Sequence, residues 1–137
     1  MKKRLLVMLA ALSMFTVLAM PASATISLTT GQPLLSNGGN SVTIDFTFIC
    51  DFDGAYQVEG WLVQQLGPTR VIAEGTDWLG GSCSAGEVVT RSLVFTSQDS
   101  AFKAGPPIQL DAYVSLHGDD GVEYDDVFVD TTIRVKK

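Results

Sequence analysis

Histidine occurs once in this sequence, at His117, and cysteine twice, at Cys50 and Cys83. That scarcity excludes a zinc finger and a knottin-like scaffold, both of which need several ligating or bridging side chains. Basic residues are also few: nine Lys and Arg stand against fifteen Asp and Glu, a formal net charge of −6. Such a surface argues against nucleic acid or an anionic membrane as partner, since both attract positive charge. The absence of a long polar tract excludes a disordered tail. After the first twenty residues no apolar stretch reaches the roughly 20 residues that a bilayer core requires. Common catalytic patterns are missing as well, with no Gly-x-Ser-x-Gly elbow, no His-Glu-x-x-His and no glycine-rich phosphate loop.

What is present begins with a basic start at Met1 to Arg4, an apolar run from Leu5 to Met20, and the small residues Ala22, Ser23 and Ala24 after Pro21. This pattern predicts a secretory signal over residues 1–24, cut after Ala24 and leaving residues 25–137 as one domain of about 113 residues with no membrane attachment. Loss of Lys2, Lys3 and Arg4 from nine basic residues leaves six against fifteen acidic ones, a net −9. Export, to the medium or to a periplasm, places Cys50 and Cys83 where thiols oxidise, and two cysteines allow one intramolecular pairing. The expected bridge closes a loop of about 33 residues, worth roughly 3–4 kcal/mol by the chain-entropy argument. The opposing reading, a reactive thiol in Gly81-Ser82-Cys83-Ser84, would need His and Asn partners around it.

The remainder reads as strands. Val42, Ile44, Phe46, Phe48 and Cys50 alternate with Thr43, Asp45, Thr47 and Ile49. Ile108, Leu110, Ala112, Val114 and Leu116 form a second apolar face, and Val127, Val129, Thr131, Ile133 and Val135 a third. Weaker runs lie at 25–28, 56–66, 70–74 and 87–96. Turn signals separate them at Asn37-Gly38-Gly39, Asp53-Gly54, Gly67-Pro68, Gly80-Gly81, Gly105-Pro106-Pro107, Gly118 and Gly121. About seven short strands at this spacing predict an all-β, two-sheet antiparallel sandwich of immunoglobulin type. Its longest connection runs from Ser97 to Pro107, with a single helical turn expected over 97–102. In this topology the end of the second strand lies beside the start of the fifth, so a Cys50–Cys83 bridge acts as an end staple. The phase of the 56–66 run sets Trp61 on the face opposite Tyr56, Val58 and Leu62, and a bulge at Gly60 would turn it toward the core.

The strand ending in Cys50, the pair Gln64-Gln65, Gly80-Gly81 before Cys83, and Phe102-Lys103-Ala104-Gly105-Pro106 leading into the Ile108 strand make a recognisable combination. Together with the leader, it resembles a family of small secreted bacterial proteins of unknown function. The resemblance implies a secreted immunoglobulin-like domain with one disulfide and brings no catalytic residues.

Two surfaces then become candidates. Loops after the second, fourth and sixth strands emerge at one end of such a sandwich. There Asp51, Asp53, Asp119, Asp120 and Glu123 would gather, with Asp125 and Asp126 just beyond. Crowded carboxylates repel unless screened, and calcium, which takes six to eight oxygen ligands, is one resident. A solvated acidic tip that aids solubility is the other reading, because no EF-hand spacing is present. The second surface carries Trp61, Tyr113 and Phe128, which could stack on a carbohydrate ring or anchor a protein partner. Against this, Trp61 turns inward if the bulge forms, and the segment with Leu34 and Leu35 would cover the rest. Trp78 is a further possible contact. A Ser82, His117 and Asp119 arrangement can be drawn as a small hydrolase site. The expectation taken forward is a secreted, non-catalytic binding module without a cofactor, with a calcium-stabilised structural or adhesive domain as the alternative.

Overall fold

The computed structural model describes residues 26–36, 38–77 and 79–135. The leader, Trp78, Lys136 and Lys137 therefore lie outside the described residues. Ten strand segments occur among those described: β1 (Thr29–Thr30), β2 (Leu34–Leu35), β3 (Ser41–Ile49), β4 (Gly54–Leu66), β5 (Thr69–Thr76), β6 (Gly81–Cys83), β7 (Val88–Thr96), β8 (Pro107–Gly118), β9 (Gly121–Thr132) and β10 (Arg134–Val135). They form two sheets. In the first, β3 is central, with β7 on one side, β1 and β2 on the other, and β10 outside β2. In the second the order is β5-β4-β8-β9, with β6 beside the first residues of β4.

Period-two alternation builds both inner faces. Val42, Ile44, Phe46 and Phe48 of β3, with Val89, Leu93 and Phe95 of β7, are buried against Val58 and Leu62 of β4 and against Ile108, Leu110, Ala112, Val114 and Leu116 of β8. Removing each large apolar side chain from water contributes about 1.5–3 kcal/mol, which opposes the entropy of ordering the chain. The result is an immunoglobulin-like β-sandwich. The third alternation is covered less completely, because β9 is an edge strand: Val127 and Val129 are half-buried. After Thr132 the chain leaves this sheet, buries Ile133, and pairs Arg134–Val135 parallel to Leu34–Leu35 in the other, so Val135 is exposed.

Three sequence expectations change. The fourth strand joins the third instead of the fifth, since Leu66 pairs with Thr69 across the two-residue loop Gly67-Pro68 and a loop that short returns the chain antiparallel beside its own predecessor. No helical turn forms at 97–102; backbone N–H groups of Ser97 and Phe102 donate to the adjacent carbonyls Asn40 O and Gly39 O, so the residues between them bend out as a short loop in which Ser100 N–H donates to Ser97 Oγ. The disulfide forms, with Cα atoms 6.4 Å apart, yet Cys83 belongs to β6 in the second sheet, so the bridge spans the two layers. Register against β4 shifts between β5 (Glu59↔Thr76) and β6 (Tyr56↔Gly81), where the chain loops out through Asp77–Gly80. The shift is an even number of residues, which preserves facing, and Cys83 therefore still points inward at Cys50.

The long connection before β8 is anchored by a polar side chain inside the core. Gln64 is fully buried. Its Nε2 donates to Lys103 O at 2.8 Å and to Pro106 O at 3.1 Å, while its Oε1 accepts from Lys103 N–H at 2.8 Å. Every polar atom of the amide is thus used, as burial demands.

Candidate functional site

At one end of the sandwich, the loop after β3, the loop before β7 and the β8–β9 hairpin enclose an open cleft of about 660 Å³ lined by Asp51, Asp53, Asp119, Asp120 and Glu123 together with Phe52, Ala85, Gly121 and Val122. The five carboxylates named from the sequence therefore meet. They do so as a rim. Asp53 Oδ1 accepts from Ala85 N–H at 2.8 Å and ties two loops together. Asp119 and Asp120 are exposed on the hairpin tip. Asp125, on β9, accepts from Leu28 N–H at 2.7 Å and pins the N-terminal segment.

Within the cleft, Asp51 and Glu123 come into carboxyl–carboxyl contact. Asp51 Oδ2 is buried without a hydrogen-bond partner. Contact with Asp51 raises the Glu123 pKa above the ordinary carboxylate value, because a proton on Glu123 supplies a donor and removes a like charge. Among the described residues no group of three or more His, Cys, Asp or Glu side chains is placed to hold a metal ion. The backbone beneath is rigidly tied: Cys50 N–H donates to Glu87 O, Gly86 N–H to Cys50 O, and the disulfide lies directly below.

His117 is exposed, and its Nε2 lies 3.2 Å from Ser115 Oγ on the same strand. Ser82 and His117 both pair with Ala55 from opposite sides, so a whole strand separates them by roughly 10 Å. The Ser82, His117 and Asp119 arrangement drawn from the sequence does not assemble.

The second surface is the outer face of β5-β4-β8-β9. Trp61 points outward, contrary to the expected inward flip. The β4–β8 register is one-to-one from Ala55↔His117 to Gln64↔Ile108, with no bulge at Gly60. Gly60 serves close approach instead: a Cβ there would sit 2.9 Å from Ala112 Cβ. Leu34 and Leu35 pair within the first sheet and leave this face open. Side chains stand in rows across the strands, Glu74–Trp61–Asp111–Phe128 in one and Thr76–Glu59–Tyr113–Asp126 in the next. The rings of Trp61 and Tyr113 stack at 6.1 Å between centroids and 30° between planes. Tyr113 donates its hydroxyl hydrogen to Glu59, and that bond, with burial and the charge of Glu59, pushes the phenol pKa up to about 12.

Trp61 is 40% exposed, Phe128 62% and Tyr124 66%. Tyr124 was not among the sequence candidates, although it lies four residues before Phe128 on the same face of the strand, which was the available signal. Ile72 adds exposed apolar surface at the β5 edge. Beside these rows Val63, Gln65, Arg70, Pro107, Gln109 and Asp130 line a shallow depression of about 440 Å³. Fold and surface together define an all-β sandwich with one inter-sheet disulfide, an acidic end cleft and an aromatic sheet face. Compared with known proteins, the chain matches no family model and no curated protein.

Proposed function

We propose that this chain is an exported, non-catalytic binding module that holds an extracellular protein or carbohydrate partner on the outer face of its four-stranded sheet. One observation carries the reading: the Trp61–Tyr113 stack, flanked by Phe128 and Tyr124, lies open on the outer face of the sheet. Exposed aromatics on one face cost solvation, and partner contact recovers it. Export to the medium or a periplasm is supported by the N-terminal pattern and is compatible with the disulfide. The likeness to small secreted bacterial immunoglobulin-like proteins belongs to this reading.

Placing a photo-crosslinking residue at Phe128, and as a control at Val94 on the opposite sheet, tests it in the producing cells. Adducts from position 128 and none from 94 support the assignment; equal or absent adducts refute it.

A second reading, calcium at the loop end, is favoured by the unpartnered Asp51 Oδ2 against Glu123. A cation there would neutralise the pair. Melting with and without millimolar calcium tests it, since a ligand specific to the folded state raises the midpoint and the absence of a shift discards the idea.

A further inference from the structure

The aromatic face carries a charge pattern that narrows the partner's chemistry. This step rests on the reading above, that the face is a contact surface. Glu74 and Asp111 flank Trp61 on either side, and Glu59 and Asp126 flank Tyr113. Asp130 stands one row further along, beside Gln109. Arg70 is the one cationic side chain of this face among the described residues. The single ion pair among the described residues, Arg91–Asp77 at 2.7 Å, involves none of these carboxylates. Each exposed π-face therefore has uncompensated carboxylates on neighbouring strands about 4.8 Å away.

A neutral sugar could stack on the rings and would leave that charge as it is. A guanidinium or ammonium over Trp61 satisfies both features at once, by cation–π attraction and by charge-assisted hydrogen bonds to Glu74 and Asp111. Spacing favours a chain over a single cation. Successive rows lie about 6.8 Å apart along the strands, the repeat at which an extended peptide presents alternate side chains on one side. A second copy of this acidic chain would bring like charges together and is disfavoured. We propose that the outer sheet face receives an extended basic segment of a protein partner, with Lys or Arg at alternate positions seated between the aromatic rings and Glu59, Glu74, Asp111 and Asp126.

The test uses the purified protein carrying W78F, which leaves Trp61 as the reporter since the sequence holds two tryptophans. Three probes are titrated by fluorescence: a twelve-residue peptide of alternating Arg or Lys with Ser, its Glu counterpart, and neutral hexasaccharides. The expected result is saturable quenching by the basic peptide alone, weakening about tenfold or more between 50 and 300 mM salt. W61F and the pair E74Q/D111N should each reduce affinity about fivefold or more, the scale of one exposed cation–π or charged contact. The pair D119N/D120N, which removes equal charge at the loop end, should leave it unchanged. Since W61F also removes the reporter, its affinity and that of the charge variants are read by calorimetry, with melting points confirming the fold. Equal loss in D119N/D120N would mean bulk attraction and overturns the proposal. Hexasaccharide binding that W61F abolishes, without basic-peptide binding, overturns it while leaving the sheet-face reading intact. If no probe responds to the Trp61 change and crosslinks at Phe128 are absent, both fall.

Discussion

Replacing Gln64 with Leu removes three hydrogen bonds while nearly conserving volume, and so isolates the energetic role of a fully buried polar side chain. A hydrogen bond contributes about 1 kcal/mol net, and buried groups left without partners cost more. Lys103 N–H, Lys103 O and Pro106 O would all lose Gln64. Lys103 is exposed, so water replaces part of the loss at that residue, and the leucine gains some apolar burial. The balance is a destabilisation of about 2–3 kcal/mol, a large fraction of the ~5–15 kcal/mol typical of whole domains. For a body of about 113 residues that corresponds to a melting point lower by roughly 10 °C. Urea unfolding followed by circular dichroism should show a lower midpoint at unchanged slope. Hydrogen exchange should accelerate first at Lys103 and Gly105, whose amide donates to Ile133 O. A midpoint within about 0.5 kcal/mol of wild type, with exchange of the 97–107 connection unaltered, would refute the assignment of Gln64 as its anchor.

Three further outcomes follow from the same geometry. Spectrophotometric titration should find one tyrosine ionising near pH 12, and E59Q should bring it down; the stabilisation from the Tyr113–Glu59 bond is fully present below the ordinary phenol pKa of about 10 and is lost as pH rises through the raised value. E123Q should melt above wild type at pH 7, because the amide donates to Asp51 without a second charge. The difference should close at acid pH, since protonated Glu123 stabilises fully below the ordinary carboxylate range and that stabilisation disappears as pH rises through its raised pKa. Millimolar calcium that raises the wild-type midpoint and not that of E123Q would support a cation between the pair. The double change C50A/C83A should cost roughly 3–4 kcal/mol by chemical denaturation, as expected for a bridge closing a 33-residue separation, and a loss under 1 kcal/mol would contradict that account.

The acidic cleft was legible although the strand assignment was partly wrong. Antiparallel alternation decides at which end a loop emerges, and β5 runs in the same direction beside β4 as it would have run in the other sheet. The loops bearing Asp51, Asp53, Asp119, Asp120 and Glu123 thus stayed together. How close the carboxylates come was not legible, because Asp53 is committed to Ala85 N–H and Asp51 to contact with Glu123 through approaches between distant segments. Trp61 was misread for a local reason. A glycine in a strand signals either a bulge or a close neighbour, and only the position of Ala112 on β8 distinguishes them.

By itself, the sequence determined the period-two faces of β3 and β8 and the pairing of the two cysteines. The last long strand was read as starting at Val127; in the structure it starts at Gly121, directly across a two-residue turn from Gly118, and that register sets Phe128 opposite Asp111. Tertiary structure alone decided that Trp61 stands in that same row and stacks on Tyr113. β4 and β8 are joined by no short turn, so their alignment is chosen by which inner-face side chains pack across the core, and local pattern carries no record of that choice.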